Sequence, residues 1–128
     1  MYTETLVDRE IDDGRALIEA MGTAGLKPKA ALWYFATETN EWSLMVQLPL
    51  SNEFGPREAY ERIEGIRRSI GADFRLPLRK IMVHAQSSPL VKTVRSKLAK
   101  RSGPKEGFHY VGERVGGDFI EDVYVYFI

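Results

Sequence analysis

Two apolar runs, at 30–36 and 42–48, flank the polar stretch Thr37-Glu38-Thr39-Asn40-Glu41. This pattern constrains the chain most, because it reads as a β-hairpin onto which the remainder is layered. In the second run Trp42, Leu44, Val46 and Leu48 share one face. Ser43, Met45 and Gln47 share the other, which is the alternation of a half-buried strand. The first run is apolar on both faces, so it is expected centrally in a sheet or under a helix. Asn40 tolerates the left-handed backbone that a short loop needs, and Pro49 has no N–H to continue a ladder.

Helical periodicity surrounds the hairpin. Over 5–21, Val7, Ile11, Ile18 and Met21 form a stripe, with Leu17 beside it and Gly14 completing the spacing. Thr5 with Asp8 resembles a capping box. A mid-helix glycine costs about 1 kcal/mol relative to alanine, so Gly14 is expected to permit close packing under Trp33 or Trp42. Residues 54–70 form a second helix with Pro56 at its first position and Ala59, Ile63, Ile66 and Ile70 on one face. A strand over 79–85 follows. Ser87-Ser88-Pro89 starts a third helix, whose apolar stripe is Leu90, Val91, Val94 and Leu98. Strands at 108–115 and 119–128 enclose the turn Gly116-Gly117-Asp118. Glu121 and Asp122 are expected to mark the exposed end of the last strand. The apolar residues 123–128 suit a central strand or a subunit interface.

The order α-β-β-α-β-α-β-β implies a single α+β domain over 1–128: a single-layer, mixed five-stranded sheet with helices packed on it. Its two strand–helix–strand connections are expected to be right-handed where the strands they join are parallel. A chain of 128 residues suits one domain with a core of its own. The absence of cysteine excludes disulfides, thiolate metal sites and cysteine nucleophiles. Glu4, Asp8, Glu10, Asp12 and Asp13 make the N-terminal stretch unlike a basic targeting peptide, and no apolar run approaches membrane-spanning length. A cytoplasmic protein without a membrane partner is the expectation.

The net charge of zero conceals an asymmetry. Residues 1–64 carry a net −6 and residues 65–128 a net +6. Between 67 and 105 eleven basic side chains face Asp73 alone. Such a segment either pairs with the acidic half or meets an anionic partner.

Three site readings follow. His84, Ser87, Ser88 and Lys92 lie at a strand-to-helix junction, where free backbone N–H groups attract anions. Plain helix capping explains the same serines. Lys92, Arg95, Lys97, Lys100, Arg101 and Lys105 form a possible nucleic-acid face, for which Phe108 and Tyr110 would supply stacking. The pI of about 6.7 opposes a dedicated binder, and a solvated face meeting the acidic half is the alternative. His84 and His109, the two histidines, are too few ligands for zinc, and the N-terminal acids match no EF-hand loop, so no metal or other cofactor is expected. Nucleophile-elbow, phosphate-loop, HExxH and dinucleotide motifs are absent.

Residues 8–65 resemble a group of small uncharacterised bacterial proteins. The shared pattern is Asp13-Gly14-Arg15 before Leu17-Ile18, then Ala30-Ala31-Leu32-Trp33, Glu41-Trp42 leading to Leu48-Pro49, and Gly55-Pro56-Arg57-Glu58-Ala59-Tyr60. Those proteins have no assigned activity, so the resemblance carries no catalytic residues with it. The leading expectation is a non-enzymatic domain acting through protein interaction or self-association as a homo-oligomer. The alternatives are an enzyme or ligand-binding protein with an anion site at 84–92, and a sequence-neutral nucleic-acid binder using 92–105.

Overall fold

In the computed structural model, which describes residues 6–100, 113–115 and 117–128, β1 (Ala30–Ala36) is the middle strand of a five-stranded sheet. It pairs antiparallel with β2 (Glu41–Gln47) on one side and with β5 (Asp118–Phe127) on the other. β3 (Ile81–His84) adds parallel to β2, and β4 (Glu113–Val115) adds antiparallel to β5, giving the order β3-β2-β1-β5-β4. The mixed sheet and α+β class expected from the sequence are present.

β1 takes the centre because neither of its faces can be left in water. Ala31, Trp33 and Phe35 face one side, where α1 (Asp8–Thr23) and α2 (Pro56–Ile70) pack through Leu17, Met21, Ala59 and Ile63. Ala30, Leu32 and Ala36 face the other, under α3 (Pro89–Ala99) and its Leu90, Val91, Val94 and Leu98. Helices therefore cover both faces. This corrects the half-buried reading of β2: Ser43 and Gln47 are each 4% exposed, because α3 packs on the face expected to be wet.

Several boundaries differ from the sequence reading for identifiable reasons. α1 starts at Asp8 behind Val7, whose N–H donates to the Glu10 carboxylate at 3.4 Å. Val7 is thus an exposed cap residue outside the stripe, and Leu17 holds the stripe's centre. Thr5 lies outside the described residues, as do Arg101, Lys105, Phe108, His109 and Tyr110. Residues 78–80 form a 3-10 turn instead of the start of a strand: Pro77 caps it and accepts from the Lys80 N–H at 3.1 Å. Asn40 adopts φ +54 in the hairpin loop.

The β2–α2–β3 connection joins parallel neighbours, the arrangement to which the right-handed crossover rule applies. β3 and β4 run antiparallel at opposite edges, so the second connection is no such crossover. It carries α3 across the back of the sheet. β5 is irregular against β1 at two places, after Ala31 and after Phe35. At the first, Ala31 pairs with Phe127 and Leu32 with Val125, which leaves Tyr126 as the extra residue of a bulge. Alternation from Tyr124 places the Tyr126 side chain toward α1, and the bulge keeps Phe127 on that side as well. The second falls at Glu121, so the two acids bend a strand that continues through them.

Candidate functional site

The two halves of the charge asymmetry separate in space. Part of the basic segment is absorbed by acids of α1, α2 and β2. Lys80 Nζ lies 3.3 Å from Glu10, Arg79 pairs with Glu41 at 3.0 Å, and Asp13 accepts from the Arg75 backbone N–H at 3.2 Å. Arg67 and Arg68 both bond Glu64, and with Arg67 the stronger influence they hold its carboxyl down at about 2. Residues 67–80 are therefore largely internal partners of α1, α2 and β2.

α3 lies on the opposite face of the sheet and behaves differently. Its sequence contains Lys92, Arg95 and Lys97, with Lys100 following, and no acidic residue. All four cations are exposed. Among the described residues Lys92, Arg95 and Lys100 have no acidic partner. With Leu90, Val91, Val94 and Leu98 buried, 100° per residue turns Lys92, Ser96 and Lys100 directly outward along one ridge. Arg95 and Lys97 fall on the ridge's two flanks, and Thr93 lies beside it. Lys92, Thr93, Ser96, Lys97 and Lys100 line one shallow depression of about 430 Å³. Thr93 and Ser96 carry no charge, and the signal that links them to this face is their spacing of four residues from Lys97 and from Lys92 and Lys100. Of the basic residues expected on this face, Arg101 and Lys105 lie outside the described residues.

The junction at 84–92 is arranged otherwise than an anion site requires. Ser88 Oγ accepts from the Val91 N–H at 3.4 Å, capping α3, and lies 2.8 Å from His84 Nδ1. The hydroxyl has a second lone pair and a hydrogen of its own, so it meets either tautomer of the imidazole while it caps the helix. Burial pushes His84 below the ordinary histidine value, which favours the neutral imidazole. Ser88 is 5% exposed, so its oxygen is closed to a substrate carbonyl. Ser87 is exposed, and Lys92 points along the outer ridge of α3. The structure thus joins His84 to Ser88, while the depression that contains Lys92 is lined by neither His84 nor Ser87.

Two other depressions, of about 660 and 400 Å³, meet at Lys27 and Phe127 beside the C-terminal end of α1. Glu19 lines the first together with Lys27, so their charges offset there. Among the described residues no group of three or more His, Asp or Glu could hold a metal ion, and no helix is long and apolar enough to cross a membrane. Comparison with protein-family models, with curated proteins and with solved structures finds no match to this chain, so its functional reading rests on the geometry of α3.

Proposed function

We propose that this chain is a non-enzymatic binding domain that docks nucleic acid, without sequence preference, on the outer face of α3. One observation carries the reading: Lys92 and Arg95 of α3, with Lys100 just after it, have no acidic partner among the described residues, on the side of the sheet away from α1 and α2, whose Glu10, Asp13 and Glu64 engage residues 67–80. The sheet and two helix layers put those faces roughly 20 Å apart, about twice the screening length of physiological salt. The near-neutral pI is then a sum over two separate faces, and it does not weaken the local field at α3.

The chemistry of the face favours nucleic acid over protein. Protein interfaces are anchored by buried aromatic and apolar side chains. The outward residues of α3 are lysine, arginine, serine, threonine and alanine. Self-association has less support, since Val7 is the one large apolar side chain exposed among the described residues. The β3 edge is also partly occupied, its Val83 N–H donating to the Tyr60 hydroxyl at 2.9 Å. With no aromatic on α3, binding comes from phosphate contacts and follows charge density, so duplex is preferred to single strand. Such a partner suits a cytoplasmic setting.

The test is fluorescence anisotropy of a short labelled duplex against salt. Three phosphate contacts, from Lys92, Arg95 and Lys100, give a log–log slope of about −2.7, which is about a fortyfold loss of affinity between about 50 and about 200 mM salt. Replacing Lys92 and Lys100 by glutamine lowers the steepness by about two and leaves the thermal midpoint in place. A protein that ignores the duplex at the lowest salt overturns the proposal.

A further inference from the structure

We infer that α3 seats a backbone phosphate between the hydroxyls of Thr93 and Ser96, so that hydrogen bonding as well as charge holds the nucleic acid. This rests on the nucleic-acid reading above and adds the atoms that receive the ligand.

The free hydroxyls carry the inference. Serine and threonine inside helices commonly return their hydrogen to a carbonyl of the preceding turn. This protein does so elsewhere: Thr23 Oγ1 donates to the Glu19 carbonyl at 3.1 Å, and Ser69 Oγ to the Ile66 carbonyl at 2.6 Å. Among the described residues Thr93 and Ser96 have no such partner. Both line the depression on α3, and the other three residues lining it, Lys92, Lys97 and Lys100, are all cations. Ser96 is flanked one turn either way by Lys92 and Lys100. Residues three apart on a helix have Cβ atoms about 5–6 Å apart, a separation that one phosphate group bridges by accepting from both hydroxyls. The small side chains on this ridge also let the phosphate approach the lysine ammoniums closely, which long side chains there would prevent.

Charge and hydrogen bonding separate experimentally, because removing a hydroxyl releases no counterion. The salt titration above is repeated with Ser96→Ala, with Thr93→Val/Ser96→Ala, and with Ser96→Thr, which keeps the hydroxyl. Ser96→Ala improves helix propensity, so α3 stays folded. The double variant is expected to bind about tenfold more weakly with an unchanged salt slope. Ser96→Thr is expected to bind as the parent does. Inorganic phosphate at matched ionic strength is expected not to displace the duplex, since one phosphate lacks the remaining contacts. A parent protein that binds duplex with a steep slope, while the double variant keeps full affinity, overturns the phosphate seat and leaves the nucleic-acid reading standing. Displacement by inorganic phosphate also overturns it, assigning the depression to a free phosphate. A parent that binds no duplex overturns both.

Discussion

The Nε1–H of Trp33 donates to the Tyr126 hydroxyl at 2.8 Å, joining β1 to β5 across 93 positions of sequence. The hydroxyl passes its own hydrogen to the Ile11 carbonyl at 2.6 Å, so the pair also fastens α1 to the sheet. Arg15 lies 5.7 Å over the Tyr126 ring, and Tyr124 meets that ring edge-on at 5.6 Å. Gly14 is the residue of α1 that covers this junction. A Cβ there would collide with the Tyr126 hydroxyl and come within 3.1 Å of Trp33 Nε1.

Gly14→Ala is therefore expected to destabilise the protein although it favours the helix. The propensity gain is about 1 kcal/mol. Forcing a methyl into a filled site costs about 1–3 kcal/mol, and displacing Tyr126 weakens two buried hydrogen bonds of about 1 kcal/mol each. The balance is a net loss of about 1–3 kcal/mol in urea melts. In a Tyr126→Phe background the hydroxyl collision is gone, so the same substitution costs less. Equal costs in the two backgrounds would show that the hydroxyl is not what Gly14 accommodates.

Tyr126→Phe by itself leaves the fully buried Trp33 N–H without its acceptor, an expected cost of about 1–3 kcal/mol. Burial raises the Tyr126 phenol well above its ordinary value of 10.0, against the opposing hydrogen bond from Trp33. A raised folded value stabilises below the unfolded value and is lost as pH climbs past it. Stability should therefore fall above pH 10, and it should fall less steeply in the phenylalanine variant.

Acid acts through other groups. His84 is lowered by burial from 6.5, so the unfolded chain takes up its proton first as pH falls. Stability should drop as pH passes below 6.5 and level off once the folded histidine is also protonated. His84→Gln should remove that step. A second loss belongs below 4.5, where Glu64, held at about 2 by Arg67 and Arg68, is ionised in the folded state only. Glu38, lowered first by the Phe119 backbone N–H, adds to the same window. Thermal midpoints across pH would show two separate descents. A midpoint unchanged between pH 7 and pH 5 would contradict the neutral, buried imidazole.

Ser88→Ala should cost about 1–2 kcal/mol, since it removes the cap of α3 and the partner of His84 Nδ1 together. Ser87→Ala, one residue earlier and exposed, should fall within about 0.5 kcal/mol of the parent. Equal effects would return Ser88 to an ordinary surface role.

Ion pairs should divide by burial. The side chains of Lys80 and Glu10 are 12% and 22% exposed, against 93% and 66% for Arg57 and Glu61. Glu10→Gln also weakens the cap on the Val7 N–H and is expected to cost about 1–2 kcal/mol. Glu61→Gln is expected to change stability by under about 0.5 kcal/mol. High salt should narrow the second effect and leave most of the first.

The junction at 84–92 shows how far the chain could be read in advance. The Ser88 cap, Pro89 at the first helical position and the stripe Leu90, Val91, Val94 and Leu98 are local signals, and each stands in the structure as read. That Ser88 would spend its oxygen on His84 was not legible, because it depends on the strand aiming His84 back at the helix start. The basic run from Lys92 to Lys100 was visible as charge. Whether it met the acidic half was not, since pairing depends on which side of the sheet each helix lies.

Sequence alone determined the elements, because helix and strand periodicity, proline, glycine and serine act within a few residues. It set the hairpin, the three helices and the apolar character of both faces of β1. Tertiary structure decided what lies far apart in the chain and close in space. It buried the second face of β2 under α3 and made Tyr126 the bulged residue that reaches α1. It also brought residues 67–80 to acids of α1, α2 and β2, and placed the cations of α3 across the sheet from α1 and α2. The physical reason is the sheet itself, a two-sided layer whose faces are assigned by pairing between strands far apart in the chain, so which helix lies over which face is not set by local sequence.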